Sequence, residues 1–445
     1  MTHASVYDVI VCGSGSNHLI LSALLASRGV NLLLLSTSNR KTFGRDGYQF
    51  PDEYPLYIDF GPDGILGEVY ADIGIPFSYL KGEDQIFKDL SPAFQVVLPD
   101  YRIDIFKEEE DLLDELCREL REEGGQIISL FNEVNRINSL IDDNGEPSIY
   151  RKIKALAKRI SLSGKNGRNI LNRFNPSVRL LGFFDALSLA FYGIGLAKLD
   201  ALRFFSILRM LKGGGRSVKG ENEILTDLLV KKIRSEGGEF YHGEIDEFQI
   251  KKNRITGIKT SRGDLFDCKA VVMESNKAKE DLQIDKLKRF SLYFGVDAGF
   301  VPSPMADYLL LTRDCSKAVQ ADNLLMLSLS PLGDLRWAPA DKRLITVSTL
   351  IPSSQILSDS YLGGLKVSVL ANLIWLMPFS GGHIEFIGDD LIFGRVKEKT
   401  ANPLLSLSAD PKNLHLIEDG RDVWIRSSED LNASYKLADQ ILSKI

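Results

Sequence analysis

The segment that most restricts how this chain folds is residues 7–35, "YDVIVCGSGSNHLILSALLASRGVNLLLL". An apolar run over 7–12 breaks at Gly13-Ser14-Gly15. Apolar residues then recur at helical spacing over 16–27, Gly29 closes that stretch, and 31–35 is a second apolar run. Strand, glycine turn, helix and strand within about 30 residues make a βαβ unit, which predicts a doubly wound α/β sheet. Parallel strands of that kind are covered on both faces, which is why they read as unbroken Val, Ile and Leu.

The turn has the spacing of a dinucleotide-binding loop through its first two glycines. The first glycine of such a loop permits the tight turn, the second lets backbone approach a pyrophosphate, and the third lets the helix pack close on the sheet. Gly13 and Gly15 supply the first two, with Ser16 and Asn17 opening the helix. His18 stands at the third. Its imidazole exceeds a space sized for a hydrogen atom, so the helix is expected to shift outward or the ring to turn away. The ring then either fills a gap left by an absent ligand or faces a phosphate at the helix N-terminus. The end of the second strand should carry an acid for the ribose hydroxyls, and Ser36 stands there instead.

Composition narrows the remaining choices. A chain of 445 residues with 44% hydrophobic content supports two or three domains. A net charge of -6 argues against general nucleic-acid binding, which needs a basic face. Cys12, Cys117, Cys268 and Cys315 lie far apart with no C-x-x-C, as expected of reduced thiols in the cytoplasm. The five histidines show no ligand spacing, so no metal site is expected. No serine–histidine–acid motif or Walker loop is present, and no catalytic side chain can be named. The N-terminus lacks the basic and apolar regions of a signal peptide. The longest apolar run, 365–379, includes Lys366 and Asn372 and falls short of the about 20 residues a membrane span needs. Residues 148–184 carry basic residues from Arg151 to Arg179 and no acid, interleaved with Ile153, Leu156 and Phe174. That pattern suits docking on an anionic membrane, a partner protein or solvent.

Further along, 93–106 reads as a hairpin, and 108–122, 126–140, 150–160 and 178–211 as helices, with a break near Gly193 and Gly195. Phe183, Phe184, Phe191, Phe204 and Phe205 are candidates for the lining of an apolar tunnel. Gly213-Gly214-Gly215 precede a helix over 221–236. Short strands follow, then a strand-rich stretch over 285–351, a helix over 361–377, a strand over 413–417 and a last helix over 430–443.

Several segments in this order resemble the phytoene desaturase and retinol saturase group of amine-oxidase-like flavoproteins. They are the opening segment, "FGRDGYQF" with Gly44 and Arg45, "YIDFGPDGILGEVYADIGI" with Asp59 and Gly61, the long segment from "KGGGRSVKGENEIL" through "EFYHGEIDEFQIKKNRITGIK", "RWAPADKRLITVSTLIP" and "NLHLIEDGRD". The resemblance implies a discontinuous Rossmann-like FAD-binding domain (1–90, 205–285 and 390–445). A substrate domain (91–204 and 286–389) would cover an apolar cavity. It implies FAD contacts from Gly13, Gly15, Ser16, Asn17, His18, Ser36, Gly44, Arg45, Ile245 and Asp419. It also implies redox chemistry on a long isoprenoid, carotenoid or lipid. The chain departs from the family's pattern at His18, Ser36, Phe43, Glu418 and 422–428, all close-approach positions for the cofactor. Those departures open an alternative: a flavin-free descendant that binds lipid or a partner protein, a fate the Rab GDP dissociation inhibitors of similar fold exemplify. A homo-oligomer is equally compatible.

Overall fold

The computed structural model describes residues 6–13, 15–36, 43–50, 56–79, 86–141, 162, 164–218, 221–274, 287–317, 321–393, 411–417 and 424–445. Its first sheet grows from the βαβ unit. β1 (Val6–Cys12) runs parallel to β2 (Leu32–Ser36) on one side and to β13 (Leu265–Glu274) on the other. β10 (Glu239–His242) adds outside β2, and β19 (Leu414–Ile417) pairs with β13, both parallel. The order β10-β2-β1-β13-β19 is Rossmann-like, as the opening segment predicts. β11 (Ile245–Lys251) and β12 (Arg254–Thr260) form a hairpin paired antiparallel to the start of β13. Four helices close over one face of the sheet: α1 (Ser16–Ser27), α2 (Ile65–Asp72), α8 (Glu221–Ser235) and α10 (Ser428–Leu442). Val9, Val11, Leu24, Leu229 and Leu431 pack together there. The hairpin covers the other face through Phe248 and Ile258, which meet Ile10 and Leu33.

A second sheet has the order β18 (Ile384–Asp389), β14 (Leu287–Asp297), β17 (Lys342–Pro352), β16 (Leu324–Leu329), β15 (Tyr308–Thr312), β7 (Phe94–Leu98), β8 (Tyr101–Ile105). Only β15 and β7 pair in parallel among these described strands. Its side chains alternate, so Val96 and Leu310 face one layer while Val97, Leu309 and Leu311 face the other. The first layer is helical: α3 (Glu109–Glu119), α4 (Gly124–Ile141), α5 (Gly167–Leu171), α6 (Val178–Tyr192) and α7 (Ala201–Leu211). Among the described residues one helix, α9 (Asp359–Leu376), covers the second.

The apolar stretch over 178–211 breaks where its glycines predict. Gly193 ends α6 at φ 66°, and the Asp200 side chain caps α7 by accepting the Arg203 N–H. Its phenylalanines do not line a tunnel. Phe183, Phe184 and Phe204 are at most 1% exposed and stack edge to face, with ring centroids 5.0 and 5.4 Å apart. Phe191 and Phe205 lie in the same core, since rings that find one another are better buried than left lining a void. The expected helix over 150–160, and with it the part of the basic stretch from Arg151 to Arg159, lies outside the described residues.

A small third sheet joins distant parts of the chain. β20 (Ile425–Ser427) pairs in parallel with β5 (Leu56–Ile58), which pairs with β9 (Gly215–Val218), and β6 (Phe87–Leu90) lies outermost. β3 (Phe43–Arg45) and β4 (Tyr48–Phe50) form a separate hairpin.

Candidate functional site

The C-terminal ends of the parallel strands carry the glycine turn. Gly13 leaves β1 at φ 153° and donates its N–H to the Leu35 carbonyl at 2.9 Å. The His18 ring is fully buried and lies directly on Gly13. A methyl group on Gly13 would come within 2.5 Å of both Cδ2 and Nε2. The ring therefore neither faces solvent nor turns away from the sheet; it occupies the place beside the first glycine. α1 begins at Gly15 without a side-chain cap and without an acid in its first turn. Its positive end is thus uncompensated by its own sequence, which favours an anion there. The thiol of the neighbouring Cys12 is held protonated by burial, so the turn offers no thiolate.

A cleft opens against this helix head. Ser16, Asn17, Tyr57, Phe60, Arg426 and Asp430 are among its lining residues, and it contains about 330 Å³ of atom-free space including its mouth. The third sheet builds its far wall. Asp59, at φ 62°, donates its N–H to the Gly214 carbonyl at 3.0 Å and accepts the Ser428 hydroxyl. A methyl on Gly213 would reach within 2.5 Å of Asp59 Cα, so the Asp59–Gly61 and Gly213–Gly215 segments interlock. Arg426 brings a guanidinium that is only 3% exposed. At the head of α10 the Asp430 carboxylate accepts the Ser427 N–H at 2.9 Å. That helix supplies its own anion, whereas α1 does not.

The residues expected at a cofactor separate into groups. Gly13, Gly15, Ser16, Asn17 and His18 converge at the head of α1. Ser36, 2% exposed, ends the adjacent strand β2, and its carbonyl accepts the Gly243 N–H. Ile245 begins β11 and packs against the cluster of Phe248 and Ile258. Gly44 and Arg45 sit on the β3–β4 hairpin. There Arg45 donates to the Ile387 carbonyl at 3.0 Å, toward the second sheet, and pairs with Asp46. Asp419 and Glu418 lie outside the described residues. Trp424 and Ile425 send their bulk into the core between α6 and the second sheet, where Trp424 meets Phe94 and Tyr308. Arg426, the next residue of the 422–428 segment, lines the cleft. The sequence marks Arg426 only as part of that departure, and Asp430 is not among the residues it singles out. The signal for Asp430 was available in Ser427-x-x-Asp430 ahead of an apolar helix, a capping-box spacing. Among the described residues no group of three or more His, Cys, Asp or Glu could hold a metal, and no helix is long and apolar enough to cross a membrane.

Parallel strand order, a glycine turn at the head of α1 and a second, mixed sheet define a Rossmann-like fold of the kind that FAD-dependent oxidoreductases use. The chain shares this fold over its whole length with several solved structures. An oxidoreductase from Methanosarcina mazei superposes with a TM-score of 0.62 at 14% identity, over 98% of this chain and 100% of that one. A cofactor-binding redesign of putrescine oxidase gives 0.59 at 10% identity over 99% of each. The Rab GDI of Plasmodium falciparum gives 0.56 at 11% identity, also over 99% of each. Among curated proteins the chain is similar to the chloroplastic prolycopene isomerase of Daucus carota, 20% identical over 385 residues, or 77% of this chain. The match spans 61% of that relative's length. No family model matches the chain.

Proposed function

We propose that this protein is an FAD-dependent oxidoreductase acting on a long apolar isoprenoid of the carotenoid kind. The observation that carries the reading is the meeting of the uncapped α1 head with buried Arg426 across one cleft. Gly13 and Gly15 add no side chain of their own at that head, and its N–H groups suit a diphosphate, whose charge Arg426 complements. These residues fit the charged middle of a dinucleotide. Its ribose end is weaker, because Ser36 offers one hydroxyl where a carboxylate would accept two hydrogen bonds. A lost charged hydrogen bond costs about 1.5–3 kcal/mol, or roughly ten- to a hundredfold in affinity. Bound FAD would supply the hydride acceptor or donor. The chain's own part is to fix the cleft through the Ser428–Asp59 bond and to keep water out with Tyr57, Phe60 and Tyr70. The similarity to prolycopene isomerase supports an apolar polyene as the substrate class.

A second reading, a flavin-free protein that binds lipid or a partner, is favoured by the His18 ring on Gly13 and by the Asp430 carboxylate beside the anion seat. FAD titration followed by flavin fluorescence quenching, with ADP in a parallel experiment, separates the two. Saturable uptake of both supports the oxidoreductase. Protein that takes up neither refutes it, and uptake of ADP without FAD favours the second reading.

A further inference from the structure

The apolar run over 365–379 forms most of α9, and it is apolar on both sides. Leu362, Leu365, Val369, Leu373 and Leu376 pack on the second sheet. The opposite side is not covered. Val367, Ala371, Ile374, Trp375, Pro378 and Phe379 recur every three or four residues along it and just beyond its end, and all are exposed. Phe379 is 84% exposed, Val367 72% and Trp375 41%. A surface helix ordinarily turns a polar face to water, so this stripe needs an occupant.

From this surface we infer that α9 is a membrane-docking helix, lying flat on a phospholipid bilayer. Three observations select that occupant. The six side chains expose on the order of 600 Å², short of the about 800 Å² per partner of a stable protein interface. The stripe ends in tryptophan and phenylalanine, the residues that settle at the boundary between headgroups and acyl chains. Arg313 lies beside it as well, its guanidinium stacked 4.0 Å over the Trp375 ring. Lys366 lies over Phe386, itself 41% exposed, and its charge is met by the buried Asp389, as that of Asp314 is by Lys317. The surface is independent of whether the cleft holds FAD. It adds α9 to the membrane contact expected over 148–184.

Cosedimentation of the full chain with vesicles of mixed phosphatidylcholine and phosphatidylglycerol tests the inference. The wild type should bind, and Val367→Ser with Phe379→Ser should lower the partition coefficient about tenfold or more at an unchanged melting temperature. Tryptophan fluorescence gives a second reading that needs no variant. Trp337 and Trp424 are at most 5% exposed, so quenching by brominated lipid reports Trp375. A wild type that stays in the supernatant, an unaltered partition in the double variant, or unquenched tryptophan would overturn the proposal. So would a dimer in analytical ultracentrifugation that the double substitution dissolves, because the face would then belong to a second copy.

Discussion

The contact between His18 and Gly13 predicts a specific energetic coupling. A methyl on Gly13 would sit 2.5 Å from the imidazole, where ordinary carbon contacts lie near 3.5–4.0 Å. An overlap of about 1 Å against a buried ring costs about 1–3 kcal/mol, as overpacking does. The φ of 153° adds strain that no substitution at His18 relieves. His18→Ala alone removes a ring with no solvent exposure and should cost about 2–4 kcal/mol through the cavity it leaves. When Gly13→Ala is combined with His18→Ala, the added methyl enters space the ring has vacated. The pair should then be less destabilised than the sum of the single variants by about 1–2 kcal/mol. Urea denaturation followed by far-ultraviolet circular dichroism measures all four proteins. Additivity within about 0.5 kcal/mol would refute the placement of the ring on the glycine, and with it the account of how a histidine is tolerated at that position.

Three further outcomes follow from the same packing and electrostatics. Asp430→Asn should cost about 1 kcal/mol of stability through the weakened cap of α10, while removing a negative charge from the cleft. Calorimetric titration with ADP should therefore show tighter, not weaker, binding, and weaker binding would contradict the charge argument. Burial, with a smaller contribution from Lys444, holds the His415 imidazole below its ordinary 6.5. The unfolded chain takes up that proton first, so the stabilisation is complete above about pH 6.5 and is lost as pH falls through the folded value. His415→Gln should flatten the acid side of the stability profile, measured by urea midpoints, and an unchanged slope would count against it. Gly213→Ala should sharply lower the yield of soluble protein because its methyl meets the Asp59 backbone, whereas Gly363→Ala in α9 faces open space and should raise stability by up to about 1 kcal/mol. Equal losses from the two would refute the interlock of the segments around Asp59 and Gly213.

Much of the fold is legible in the sequence because its signals are local. The βαβ unit, the hairpin over 93–106, the break at Gly193 and the strand over 413–417 each follow from apolar period and turn chemistry within about 30 residues or fewer. The phenylalanines of α6 and α7 were ambiguous for a physical reason. A core and a tunnel use the same residue types, and only the meeting of Phe184 on α6 with Phe204 on α7 decides between them. Arg45 shows the same limit for a polar residue, since its acceptor, the Ile387 carbonyl, is 342 positions away. The exposed side of α9 was hidden as well. A helix apolar on all sides reads from sequence as fully buried, and its length alone excludes a membrane span without showing which side meets water.

The cleft separates what backbone provides from what side chains provide. The proposed anion seat at α1 is made by N–H groups, the tight turn at Gly13 and a first turn of α1 that carries no acid of its own, so it tolerates change at most neighbouring positions. The ribose and ring ends of a dinucleotide site depend instead on a particular acid and on glycines that allow close approach. Ser36 stands where the resemblance expects that acid. His18 touches both parts: it fills the close-packing space of the third glycine yet leaves the first turn of α1 intact, beginning with the Leu19 N–H donating to the Gly15 carbonyl at 3.1 Å. Pairing His18→Gly with Ser36→Glu thus tests the two parts at once. If the seat is intact and only its ends are weakened, the double variant should bind FAD at least about tenfold more tightly than the wild type, the expected return from one charged hydrogen-bond site. If affinity does not change, side chains elsewhere have rebuilt the cleft for another ligand, and the seat at α1 is not what governs it.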